Sequence, residues 1–122
     1  MAFEVEADPE RNRITVTLTG FATIDDVRRF EQDLQRAHDL LPQQRGPHQL
    51  LYDVSAAKIQ SQDVVQALRD LAAQSPTKAA FALVNASALA GRQLDRIFTG
   101  IDVRRSKDRH DAEIWLDAQV AH

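Results

Sequence analysis

The 122-residue chain contains no cysteine, which excludes disulfides and thiolate metal sites from its stability and chemistry. Glycine is scarce, at four residues, and neither a Gly-rich phosphate loop nor a Gly-x-Ser-x-Gly elbow occurs. No apolar run approaches the ~20 residues of a membrane span. The start, MAFEVEADPE, has no basic or apolar leader segment, so a cytoplasmic protein without stable membrane insertion is expected. An excess of one charge is missing too: 15 Lys plus Arg against 18 Asp plus Glu leave −3 at pH 7, which argues against general affinity for nucleic acid. What is present, 43% hydrophobic and 27% charged residues, is the composition of an ordinary folded chain. With no boundary in composition, residues 1–122 read as one domain.

Hydrophobic periodicity assigns the elements. FEVEA and RITVTLTG alternate around the polar turn DPERN and predict a hairpin with Phe3, Val5, Ala7, Ile14, Val16 and Leu18 on one face and Thr15, Thr17 and Thr19 on the other. Such a one-sided hairpin belongs at a sheet edge. Thr23 stands three residues before Asp26, a capping-box spacing, and Ile24, Val27, Phe30, Leu34, Ala37 and Leu41 recur at helical steps, with Asp25 and Arg29 an i,i+4 pair. QLLYDV and KAAFALV are near-continuous apolar runs, which suits central parallel strands covered on both faces. A helix follows each: the first is capped at Ser61, carries Val64, Val65, Leu68, Leu71 and Ala72 inward and ends at Pro76, and the second is capped at Ser87 and closes near Gly100. IDVRRSK reads as a last strand and DRHDAEIWLDAQV as a last helix, capped by Asp108, with Ala112, Trp115 and Leu116 facing inward. The order β-β-α-β-α-β-α-β-α predicts an α/β fold. It comprises a single mixed, mainly parallel five-stranded sheet with an antiparallel N-terminal edge hairpin and about four helices.

Chemistry-bearing residues are sparse. His38, His48, His110 and His122 are scattered without metal-ligand spacing and most of them read as solvent-facing, so no metal, cofactor or catalytic residue is expected. Asp53 ends a central strand, as the phosphoacceptor of a receiver domain does, but the clustered carboxylates such a site needs for Mg²⁺ are missing. Asp25 and Asp26 instead fit the start of a helix. Asn85–Ala86–Ser87 matches a glycosylation sequon and reads as a strand-to-helix turn, and Ser55 reads as a turn residue. The least ordinary feature is basic: Arg104, Arg105, Lys107 and Arg109 crowd one acid in RRSKDR, and Arg92 and Arg96 lie one turn apart just upstream. Charge of this kind protects an edge strand from aggregation. Arg92, Arg96, Arg104, Arg105 and Lys107 also form a candidate site for an anion or an acidic partner, since arginine binds carboxylates and phosphates bidentately.

The element order, the one-sided hairpin, LLYDVS at the third strand and the ending VRRSKDRHDAEIWLDA, with Ala112–Leu116 as an Ala-x-x-Trp-Leu signature, resemble the SpoIIAA-like group of the STAS superfamily. That resemblance implies a non-catalytic protein-interaction or regulatory module, a homodimer and a protein partner. Related CRAL-TRIO domains imply the alternative, a small apolar-ligand or lipid-binding protein. Anti-sigma-factor antagonists carry an Asp-Ser-Ser-Gly-like stretch at the start of the helix after the third strand, where a serine is phosphorylated. The stretch here is QSQDVV, and Ser61, its one serine, reads as a helix cap, so no phosphorylation is expected.

Overall fold

Alternation in the first two segments gives a hairpin with one dry face. In the computed structural model, which describes residues 2–42, 47–74, 80–84 and 88–119, β1 (Phe3–Asp8) pairs antiparallel with β2 (Arg13–Gly20), Val5 opposite Val16. The Asp8 carboxylate closes the turn by accepting from the backbone and guanidinium of Arg11. Asn12 takes a left-handed conformation, φ 52°, which asparagine tolerates better than most residues. Phe3, Ile14, Val16 and Leu18 are buried on one side, while Thr15 and Thr17 are half-buried and Thr19 exposed on the other.

The helix α1 (Ile24–Asp39) begins with the expected capping box: Thr23 Oγ1 accepts from the Asp26 N–H at 3.1 Å, and Asp26 Oδ2 accepts from the Thr23 N–H at 2.9 Å. Its stripe of Val27, Phe30 and Ala37 is buried, and Phe30 stacks on Phe3 with centroids 4.3 Å apart. Asp25 pairs with Arg28 at 3.3 Å, one residue short of the expected i,i+4 partner.

The remaining elements are β3 (Gln49–Ala57), α2 (Gln62–Gln74), β4 (Ala80–Val84), α3 (Ala88–Ile97), β5 (Arg104–Ser106) and α4 (Arg109–Ala118). Among the described residues the strands form one five-stranded sheet in the order β1-β2-β3-β4-β5, antiparallel between β1 and β2 and parallel elsewhere. The crossovers between successive parallel neighbours carry α1, α2 and α3 to one face, over Ile14, Val16, Leu50, Tyr52, Phe81 and Leu83. Helix α4 takes the other face, where Ala112 and Leu116 pack on Leu51, Ala82 and Val84. Cover on both faces explains the continuous apolar runs of β3 and β4, and the lack of a second helix beside α4 explains the threonines of β2.

Three expectations are corrected. Strand β3 continues past QLLYDV to Ala57 because its register against β2 slips between Thr17 and Thr19, a bulge that lets Ala56 and Ala57 keep pairing. Ser55 is therefore a strand residue. β5 is only Arg104–Ser106, since the edge pairs just with Ala82–Val84, and Ile101 and Val103 pack into the core ahead of it. Trp115 is only partly buried, its ring lying under the Arg104 guanidinium, 5.6 Å from the centroid. Pro76, the sequon at 85–87 with its Ser87 cap, and His122 lie outside the described residues.

Candidate functional site

Two loops meet at the carboxyl ends of the parallel strands. Gly20 ends β2 at φ 67°, a conformation that strains any residue with a Cβ, and turns the chain so that Phe21 stands 71% exposed. The loop after β3 runs alongside: the Lys58 N–H donates to the Gly20 carbonyl at 3.0 Å, and Ile59 is 47% exposed. Beneath them buried Gln60 joins the loops. Its Oε1 accepts from the Ala22 N–H at 2.7 Å, and its Nε2 donates to the carbonyls of Gly20 at 2.9 Å and Lys58 at 2.6 Å. Its backbone N–H and carbonyl bond the Gln93 side chain of α3, both at 2.8 Å. Two large apolar side chains thus stand exposed on neighbouring loops that hydrogen bonds tie together.

On the α4 face of the same sheet end, Asp53 Oδ1 accepts from the Ser55 N–H at 3.0 Å and the Ser55 hydroxyl at 2.7 Å. Its Oδ2 accepts from Arg109 Nε at 3.1 Å, and Arg109 Nη2 reaches Thr17 Oγ1 at 2.7 Å. Burial pushes the Asp53 carboxyl up, but the hydrogen bonds from Ser55 and Arg109 outweigh it and hold the group below the usual range. Arg109 is the first residue of α4, which Asp108 caps by accepting from the Asp111 N–H at 2.8 Å. Both oxygens of Asp53 are engaged, so the carboxylate ties β3 to β2 and α4. Asp25 and Asp26 lie at the start of α1, and among the described residues no group of three histidines or acids is placed to hold a metal.

No family model and no curated protein matches the chain. Among solved structures, an uncharacterized protein of the DUF3478 family with a SpoIIAA-like fold from Shewanella loihica PV-4 superposes with a TM-score of 0.70 at 17% identity, over 94% of this chain and 92% of that one. An anti-sigma factor antagonist from Mycobacterium paratuberculosis superposes with a TM-score of 0.63 at 16% identity, again over 94% and 92%. The chain has the SpoIIAA-like fold. Within this SpoIIAA-like architecture Ser61 directly precedes α2, and its carbonyl accepts from the Val65 N–H at 3.0 Å as a cap residue's does. Its hydroxyl, however, donates to the Asp63 carboxylate, and Asp63 in turn accepts from the Val64 N–H at 3.0 Å, so the acid and not the serine side chain satisfies the helix end.

The five cations do not share one face. Arg104 lies over Trp115 on the α4 side, while Arg105, the next residue of β5, pairs with Asp95 of α3 on the opposite side. Lys107 pairs with Asp111 at 3.7 Å, and Arg92 and Arg96 are exposed on α3. The histidines also differ from expectation: His48, just ahead of β3, is buried and meets half-buried His38 of α1 edge to face, centroids 5.4 Å apart, while His110 is exposed. Sequence reasoning missed Arg13. It is 5% exposed, donates to Gln49 Oε1 at 3.0 Å and to Asp117 Oδ1 at 2.7 Å, and Gln49 Nε2 donates on to the Leu116 carbonyl at 2.8 Å. An arginine beside a turn gives no sequence signal of this burial, because its partners lie 36 and 104 residues away.

Proposed function

We propose that this SpoIIAA-like chain is a non-catalytic regulatory module of STAS type that docks a protein partner on the surface carrying Phe21 and Ile59. The observation that carries the reading is their exposure, 71% and 47%, on adjacent loops that buried Gln60 holds rigid. Rigid exposed aromatic and aliphatic anchors lose little conformational entropy on binding, which is how interface hot spots act. The likeness in fold to an anti-sigma factor antagonist, a protein named for opposing an anti-sigma factor, supports a role exercised through protein binding. Exposed Thr19, Thr23, Lys58, Ser61 and Asp63 supply a polar rim with one charge of each sign, so the matching partner surface is an apolar pocket with a polar border.

The non-catalytic reading is supported by Asp53, whose oxygens are both occupied. Switching by phosphorylation of Ser61 is not part of the proposal, because an added phosphate would face Asp63 across a bond the hydroxyl now makes. Photo-crosslinking in cells from positions 21 and 59, with exposed position 4 on β1 as control, should give one defined protein adduct from the loop positions alone. Crosslinks that form equally well from position 4, or none from 21 and 59, would remove the docking surface from the account.

A further inference from the structure

The edge of the sheet at β5 carries a second surface, apart from the loops of Phe21 and Ile59, which follow β2 and β3. Among the described residues only β4 pairs with β5, so alternate residues of β5 turn backbone N–H and C=O groups outward. Its side chains also alternate: Arg104 stands on the α4 face over Trp115, and Arg105 on the face covered by α3. The cations around this edge are unevenly neutralised. Arg105 pairs with Asp95 and Lys107 with Asp111. Arg104 is exposed, as are Arg92 and Arg96 on either side of Asp95 in α3, and among the described residues none of these three has a carboxylate partner.

Charge by itself keeps an edge strand from aggregating. Two features go beyond that role. The Arg104 guanidinium lies 5.6 Å from the ring centroid of half-buried Trp115, a contact that orients the cation while leaving its N–H groups without an acid, and Trp and Arg are residues on which interfaces concentrate binding energy. The uncompensated cations also lie on both faces of the edge, the two directions in which the side chains of an added strand point. Asp95 and Asp111 stand among them and the chain carries −3 overall, which disfavours a continuous polyanion such as nucleic acid. A lone phosphate would leave the outward backbone groups unmatched. We propose that β5 takes up an extended, acidic segment of a partner protein as a sixth strand. The main chain of that segment pairs with the open edge, and its carboxylates meet Arg104 on one face and the arginines of α3 on the other, where the planar fork of arginine suits them.

The peptide Thr-Glu-Glu-Thr-Glu-Glu-Thr, which as a strand presents acids to both sides, is a suitable probe. Its counterpart with lysine in place of each glutamate and inorganic phosphate serve as comparators, each titrated into the isotope-labelled full chain by NMR. The acidic peptide should shift the amides of residues 103–107 saturably and slow hydrogen exchange of the outward-pointing amides of β5, and neither comparator should do so. Arg104→Glu at this exposed position should weaken binding at least about tenfold, since it sets like charges together. Arg28→Glu, the same change of charge on the exposed side of α1, should leave binding unchanged. The proposal is overturned if the acidic peptide gives no saturable shift, if the lysine peptide or phosphate shifts β5 as much, if the shifts are confined to residues 92–96, or if Arg28→Glu weakens binding as much as Arg104→Glu does.

Discussion

At Asp53 three hydrogen bonds converge on one buried carboxylate, two from Ser55 and one from Arg109. Its pKa in the folded state lies below that of an unfolded aspartate. The stabilisation is therefore fully present above the ordinary range near ~4 and is lost as pH falls through it. Asp53→Asn should cost about 1–3 kcal/mol at pH 7. In urea titrations the gap between variant and parent should narrow as pH is lowered from about 5 toward 3; a gap that does not change with pH would mean the charge contributes nothing. Arg13 makes a comparable tie between β2, β3 and α4. Arg13→Ala leaves buried Gln49 short of a donor and should destabilise by about 1–3 kcal/mol in the same measurement, and Arg13→Lys should not restore the loss, since a lysine cannot reach both acceptors with a planar fork. The sequence placed Asp53 at a strand end, whereas β3 runs on to Ala57 and sets it within the strand. It could not show that the acid is spoken for, because Arg109 is 56 residues distant and only the fold brings the two together.

The elements were legible where periodicity is strong. The hairpin, α1 with its capping box, and α4 with its Asp108 cap all follow from local rules of spacing and chain ends, which need no tertiary partner. The bulge in β3 and the shortness of β5 were not legible, since both depend on how neighbouring strands pair. Helix α4 offers the clearest energetic test. Sequence alone assigned Trp115 inward beside Leu116, yet Leu116 is fully buried while Trp115 is half covered and shares its ring with Arg104. Leu116→Ala should therefore cost about 2–5 kcal/mol, the range for a buried leucine. Trp115→Ala, with less area to lose, should cost less. The opposite ranking in chemical denaturation would show that the indole anchors the helix.

For the whole molecule, the unequal cover of the sheet organises everything else. Three helices over one face bury Tyr52 and its neighbours, whereas α4 alone on the other leaves Thr15 half-buried and Thr19 of β2 exposed. The order of elements along the chain and the antiparallel edge were foreseen from the alternation of segments, and the SpoIIAA-like fold from the resemblance, but the order of strands in the sheet was not. The exposure of Phe21 and Ile59 was not, because they look like any apolar residues next to an element, and it depends on the left-handed turn at Gly20 and the bonds of Gln60. Hydrogen exchange on the chain, alone and with the crosslinked partner, tests the central claim most directly. The account predicts slowed exchange confined to residues 20–23 and 57–63; protection along β1 or α4 with none in these loops would contradict it.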